Sequence, residues 1–202
     1  TADIPPPFYG ECDSTDANCI ADDEDCDTGE AFCTFDSGDA TSDRLAVYYD
    51  PVDDLDCIGT AHVGPLVNVF WVANDDTNGN LPTLYCRGYD PEADAWISGG
   101  AQPVAPGVEN LQVLYGVLPD DRSDITPIRY VNAPEVFRWA NVKTVRIGLL
   151  MRGGGTGSGP VNKVRRYSVL DAGGDALVFN DNQPRMLYTT TVSINNVVLT
   201  ND

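Results

Sequence analysis

Apolar and polar positions along the chain read as strand in seven places. Residues 44–49 (RLAVYY) form the first, closed by Asp50-Pro51. Residues 66–73 (LVNVFWVA) and 84–87 (LYCR) are the second and third. Asn78-Gly79 lies between them as a hairpin-turn signal. Residues 111–116 alternate weakly and form a fourth. The clearest pattern is 142–152, where Val145, Ile147, Leu149 and Met151 share one face and Leu150 adds an apolar residue to the other. Two apolar faces predict a central strand. Residues 164–170 and 186–199 complete the set, and Thr189 to Ile194 is rich in β-branched residues. Two stretches opened by proline, 106–111 and 134–139, are expected as short helices. The glycine-rich run GGGTGSGP at 153–160 is a connection.

The first 42 residues break this texture. They open on Pro5-Pro6-Pro7 and carry Cys12, Cys19, Cys26 and Cys33 at seven-residue intervals among Asp, Thr and Gly. That interval would align the cysteines on a helix face. The residues between them are poor helix formers without apolar periodicity. A folded-back loop closed by two disulfides fits better. Neighbouring pairs would contribute about 2–3 kcal/mol each in the chain-entropy account. Crossed pairings are equally open from the sequence.

Composition separates the same two regions. The 202 residues are 42% hydrophobic, enough for one globular domain with an appendage. Net charge is −19, unevenly spread. Residues 1–57 hold 17 Asp and Glu against one Arg, whereas residues 58–202 hold 14 against 11 Lys and Arg. No basic stripe exists for a nucleic-acid partner. Six cysteines beside acidic, turn-rich sequence point to disulfides and an oxidising compartment. A zinc site fits poorly, because His62 is the only histidine and no two cysteines stand two to four residues apart. There is no apolar run long enough to span a membrane and no signal peptide, so an addressing segment for export is expected upstream of Thr1.

Candidate chemistry is sparse. His62, in the loop-like stretch GTAHVG, is the single candidate base for a nucleophile, and an ordinary loop histidine explains it better. Carboxylate pairs arise by number alone among 31 acidic residues. The metal hypothesis is calcium. Asp22, Asp23, Asp25, Asp27 and Glu30, with Glu24, crowd one loop between Cys19 and Cys33, and a hard cation taking six to eight oxygens would relieve their repulsion. Against it stands a solvated charge run. Asn74-x-Asp76-x-Asn78-Gly79 copies the start of a calcium loop, but its twelfth position is Tyr85 and a hairpin turn accounts for it. No catalytic residue and no certain cofactor are expected.

From residue 43 onward the ordered segments resemble the PilW family of type IV pilus minor pilins. SDRLAVYY at 42–49 is similar to the family's first strand. Asp56-Cys57-Ile58-Gly59, then VNVFWV at 67–72 and Leu84-Tyr85-Cys86, resemble its cysteine-linked strand pair. PGVENLQVLYG at 106–116 is followed, as in the family, by YVNA at 130–133 and WANVKTVRIGLLMR at 139–152. RMLYTTTVSINN at 185–196 resembles the family ending, with Asn195 where the family usually has Arg. The four-cysteine stretch lies outside the resemblance.

The resemblance implies a non-enzymatic pilus component. Its expected fold is α+β and β-rich: a pilin-like head of antiparallel sheet with short helices at 43–202, behind a disulfide-stapled acidic appendage at 1–42. Cys57 would pair with Cys86. A hydrophobic N-terminal helix upstream would anchor the chain in the inner membrane, facing the periplasm, before incorporation into the extracellular pilus tip. Implied partners are other minor pilins, the major pilin and a tip adhesin. Two rivals are a type II secretion pseudopilin of the GspJ kind and a secreted calcium-binding adhesive module.

Overall fold

A computed structural model describes residues 8, 32–38, 41–97, 99–118, 128–136, 139–153, 164–172 and 177–194. Among these residues eleven strands are defined, and every pairing between them is antiparallel. The first sheet holds β1 (Leu45–Tyr49), β2 (Leu66–Asp75), β3 (Leu81–Asp90), β4 (Ala95–Trp96) and β5 (Gln102–Pro106). Its order is β1-β2-β3-β4, with β5 also pairing β3. The second holds β6 (Val108–Val117), β7 (Arg129–Val131), β8 (Val142–Arg152) and β11 (Arg185–Ser193), in the order β11-β8-β6-β7. β9 (Arg165–Tyr167) and β10 (Leu177–Phe179) form a separate two-stranded ribbon.

Strand periodicity places the cores. One face of the first sheet offers Leu45, Val47, Phe70, Val72 and Leu84. One face of the second offers Leu111, Val113, Tyr115, Val145, Ile147 and Leu149. These faces share the main core, together with Phe8, Val131, Val136 and Trp139. The Tyr115 ring meets the edges of its neighbours, with centroids 5.3 Å from Phe8 and 4.9 Å from Trp139, the geometry aromatic quadrupoles favour. The opposite face of the first sheet buries Ala46, Val67, Val69 and Tyr89, and Phe32 stacks on Tyr89 at 4.1 Å. The opposite face of the second sheet buries Leu150 against Val169 and Ala172, with Tyr167, Leu177 and Phe179 of the ribbon.

β8 therefore sits between two strands and packs apolar residues on both faces, as its sequence predicts. Gly148 is part of the reason. A Cβ there would lie 2.7 Å from Val169 Cγ1 and 2.8 Å from Leu170 Cγ, so the absence of a side chain lets that segment close onto the sheet.

The expected α+β class is corrected. Among the described residues there is no α-helix, only 3₁₀ turns at Asp76–Asn78, Ala133–Glu135 and Trp139–Asn141. The architecture is all-β. At 106–111 the proline precedes Gly107, whose φ of 83° turns the chain. Val108 then pairs with Met151, and β6 begins where a helix was expected. At 134–139 Pro134 opens a turn that stops at Val136, whose N–H donates to Ala133 O.

The Asn78-Gly79 signal does mark the β2–β3 hairpin. Asp75 accepts from the Thr77 N–H at 2.9 Å, and Gly79 takes the left-handed conformation at φ 66°.

Candidate assembly surface

Residues before β1 are laced into both sheets. The Phe8 side chain is only 3% exposed, and its backbone bridges Val47. Thr34 Oγ1 accepts from the Ala46 N–H at 3.0 Å and donates to Ala46 O at 3.3 Å. The Asp43 N–H donates to Leu111 O at 2.8 Å. The Asp43 carboxylate in turn accepts from Val113 N–H at 2.8 Å and Ser37 N–H at 3.2 Å. Asn110 and Gln112 side chains donate to Thr41 O at 3.2 and 2.6 Å. Burial dominates the carboxyl of Asp43 and, with Asp36 and Asp171 adding repulsion, pushes its pKa up to about 7.

Cys57 and Cys86 form a disulfide with their Cα atoms 6.4 Å apart, an ordinary span. It ties the loop after β1 to the middle of β3. Hydrogen bonds hold that loop: Cys57 N–H donates to Asn68 Oδ1 at 3.1 Å, Asn68 in turn donates to Tyr49 at 2.7 Å, and Asp56 accepts from the Ile58 and Thr60 N–H groups. Cys33 is fully buried and disulfide-bonded. Cys12, Cys19, Cys26, Asp22, Asp23, Asp25, Asp27 and Glu30 lie outside the described residues. Among the described residues no cluster of three or more His, Cys, Asp or Glu could hold a metal. His62 Nε2 contacts Pro65 O at 3.2 Å and its Nδ1 lies 3.9 Å from Asp90.

A charge cluster that no sequence signal suggested anchors β11. The Arg185 guanidinium donates to both oxygens of Glu109, one of them at 3.0 Å, and to Asp181 at 2.6 and 2.8 Å. It also lies 3.6 Å from the Phe179 ring centroid. Arg185 and Glu109 side chains are 2% and 7% exposed. The hydrogen bonds from Arg185 hold the Asp181 carboxyl down at about 2. Asp181 and Arg185 stand four positions apart, but Glu109 is 76 residues from Arg185.

Beyond Arg185 the strand emerges from the fold. All eight residues from Met186 to Ser193 are exposed. Met186, Leu187, Tyr188 and Val192 expose between 45% and 59% of their surface. Register places Met186, Tyr188 and Val192 beside Met151, Leu149 and Val145, on the face that continues into the half-buried Ile147, Phe70, Val72 and Leu84. An apolar strip thus runs from the main core onto a strand that none of the described residues covers, a pattern typical of protein contact surfaces.

The family model of Type IV Pilus-assembly protein W matches residues 69–196. The chain belongs to the PilW family. The matched span begins within β2 and runs past the end of β11, so it takes in the second sheet, the β9–β10 ribbon and the exposed strand. Searches of the curated proteins and of the solved structures find no match. PilW membership places the chain in type IV pilus assembly, in the cell envelope or pilus, among protein partners of that machinery. The family is generally non-enzymatic. Among the described residues no helix is long and apolar enough to cross a membrane.

Proposed function

We propose that this chain is a minor pilin that helps initiate filament assembly and forms part of the tip complex through protein–protein contacts. The observation carrying this reading is the family match across both sheets, from β2 to β11. The apolar strip supports it physically, because the exposed Tyr188 and Val192, continuous with the partly buried Phe70, Val72, Ile147 and Leu149, offer area to a partner. Other minor pilins, the major pilin and a tip adhesin are the partners in this reading. An oxidising periplasm, followed by the extracellular pilus tip, suits the Cys57–Cys86 bond.

Deletion of the gene tests the proposal. Surface filaments counted by electron microscopy should fall sharply and return on complementation with the full-length gene. A deletion strain with normal filaments overturns the assembly role. If it keeps its filaments but no longer exports its extracellular enzymes, the secretion-pseudopilin alternative is the correct one.

A further inference from the structure

Folded proteins blunt the edges of their sheets, where unpaired backbone groups would otherwise recruit another strand. Among the described residues, the edge strands are covered, proline-bearing or very short, with one exception. The outer edge of β1 is bridged by Phe8 and Phe35 and capped by the Thr34 hydroxyl. β5 contains Pro103 and Pro106, which have no N–H to offer. β4 has two residues, and β7, β9 and β10 have three each. β11 has nine, in unbroken register with β8, without proline, and without charge from Met186 to Ile194.

The direction of its free groups follows from two bonds. Ile194 N–H donates to Lys143 O, and Gly153 N–H donates to Pro184 O. Even-numbered residues therefore bond to β8. By the alternation of an antiparallel ladder, Leu187, Thr189, Thr191 and Ser193 turn their N–H and C=O groups outward.

Charge decides the kind of occupant. Residues 128–194 carry nine Lys and Arg against four Asp and Glu, inside a chain of net −19. Arg146 stands one strand behind the edge, bonded to Thr191 Oγ1 at 3.4 Å. A second copy would set one such basic stretch against another, whereas a neutral or acidic strand would be attracted to it.

We propose that β11 accepts an added strand: an extended, neutral-to-acidic segment of another pilus-assembly protein pairs with the outward groups of Leu187, Thr189, Thr191 and Ser193. Main-chain bonds supply the attachment, and the exposed Tyr188 and Val192 supply side-chain contacts. This rests on the assembly role proposed above and names its contact.

The test uses the full chain in its native strain, carrying the photo-crosslinker p-benzoylphenylalanine at Tyr188 or, as a control, at Val178 of β10, which is also exposed. Thr189→Pro removes an outward N–H without touching the β8 ladder; Thr189→Ala keeps that N–H. An adduct with another pilus-assembly protein is expected from position 188 and not from 178. It should fall about tenfold or more in Thr189→Pro, the scale of a lost hydrogen bond plus a ring at the seam, and persist in Thr189→Ala. If Thr189→Pro does not accumulate folded, Thr189→Lys, a charge on the edge, should give the same loss. Equal adducts in the Pro or Lys variant and in the Ala variant overturn the strand addition. An adduct only with a second copy of the chain overturns the stated occupant. No adduct in a strain whose filaments depend on the gene sinks the edge contact and leaves the assembly role standing. Normal filaments in the deletion strain remove both.

Discussion

Asp43 is the residue where burial and hydrogen bonding compete most openly. Its two oxygens each accept a backbone N–H, from Val113 and Ser37, which favours the anion. Burial opposes this, and the neighbouring Asp36 and Asp171 add repulsion; burial wins, with the pKa pushed up from 3.8 to about 7. The folded chain therefore holds this proton more tightly than the unfolded chain. The resulting stabilisation is complete below about pH 4 and is lost as pH rises toward 7. Asp43→Asn keeps the size but replaces one acceptor by a donor facing an N–H. We expect it to cost about 1–2 kcal/mol near pH 5, as for a broken buried hydrogen bond. The gap in melting temperature between variant and wild type should then narrow from pH 5 to pH 8, as the wild type takes on the cost of a buried charge. A gap that widens with pH would show that Asp43 is stabilised as the anion. Nothing in the sequence marked this residue beyond its place ahead of a strand, because its partners on β6 lie 70 positions away.

At the scale of elements, legibility tracked strand length and periodicity. The limits of β8, residues 142–152, were readable because its apolar pattern has enough repeats to exclude a helix. β1, β2, β3, β6, β9 and β11 were recognisable with shifted ends. β4, β5, β7 and β10 were not: at two to five residues, with Pro103 and Pro106 inside β5, they carry no period of their own and exist because a neighbour supplies a ladder. The two expected helices failed for a related reason. A proline at the start of an apolar run is a helix signal only if the following backbone can stay helical, and Gly107 at φ 83° does not. The Cys57–Cys86 bond was legible through the family resemblance, although Cys57 sits in the loop after β1 and not on a strand, whereas the anchor of β11 was not, since Glu109 lies 76 positions from Arg185. That anchor is testable. Arg185→Met leaves Glu109 buried without its partner and should cost about 3–5 kcal/mol. Combining Arg185→Met with Glu109→Gln removes both charges and should cost markedly less than the two single losses added together. Chemical denaturation of the four proteins measures this, and strict additivity would show that the pair is not a coupled unit.

For the whole molecule, the boundary suggested by composition and the contacts of the fold pull in different directions. Charge and cysteine spacing separate residues 1–42 from the rest, yet Phe8 fills the main core between Tyr115 and Trp139. Phe32 covers the second core against Tyr89, and Thr34 satisfies both backbone groups of Ala46 on the edge of β1. A chain starting at residue 43 would open a cavity the size of an aromatic ring, which alone costs about 3–5 kcal/mol. For a protein of this length that corresponds to a fall in melting temperature of about 6–20 °C. It would also bare the edge of β1, giving the molecule a second unprotected strand besides β11. The truncated chain should therefore melt well below the full one and self-associate as its concentration rises, while Phe8→Ala in the full chain should reproduce most of the melting shift without the association. Calorimetry and sedimentation on the three proteins separate these effects. A truncated chain that melts within about 3 °C of the full one, about one kcal/mol at this size, and stays monomeric would mean that residues 43–202 stabilise themselves and that the acidic segment is free to serve contacts of its own.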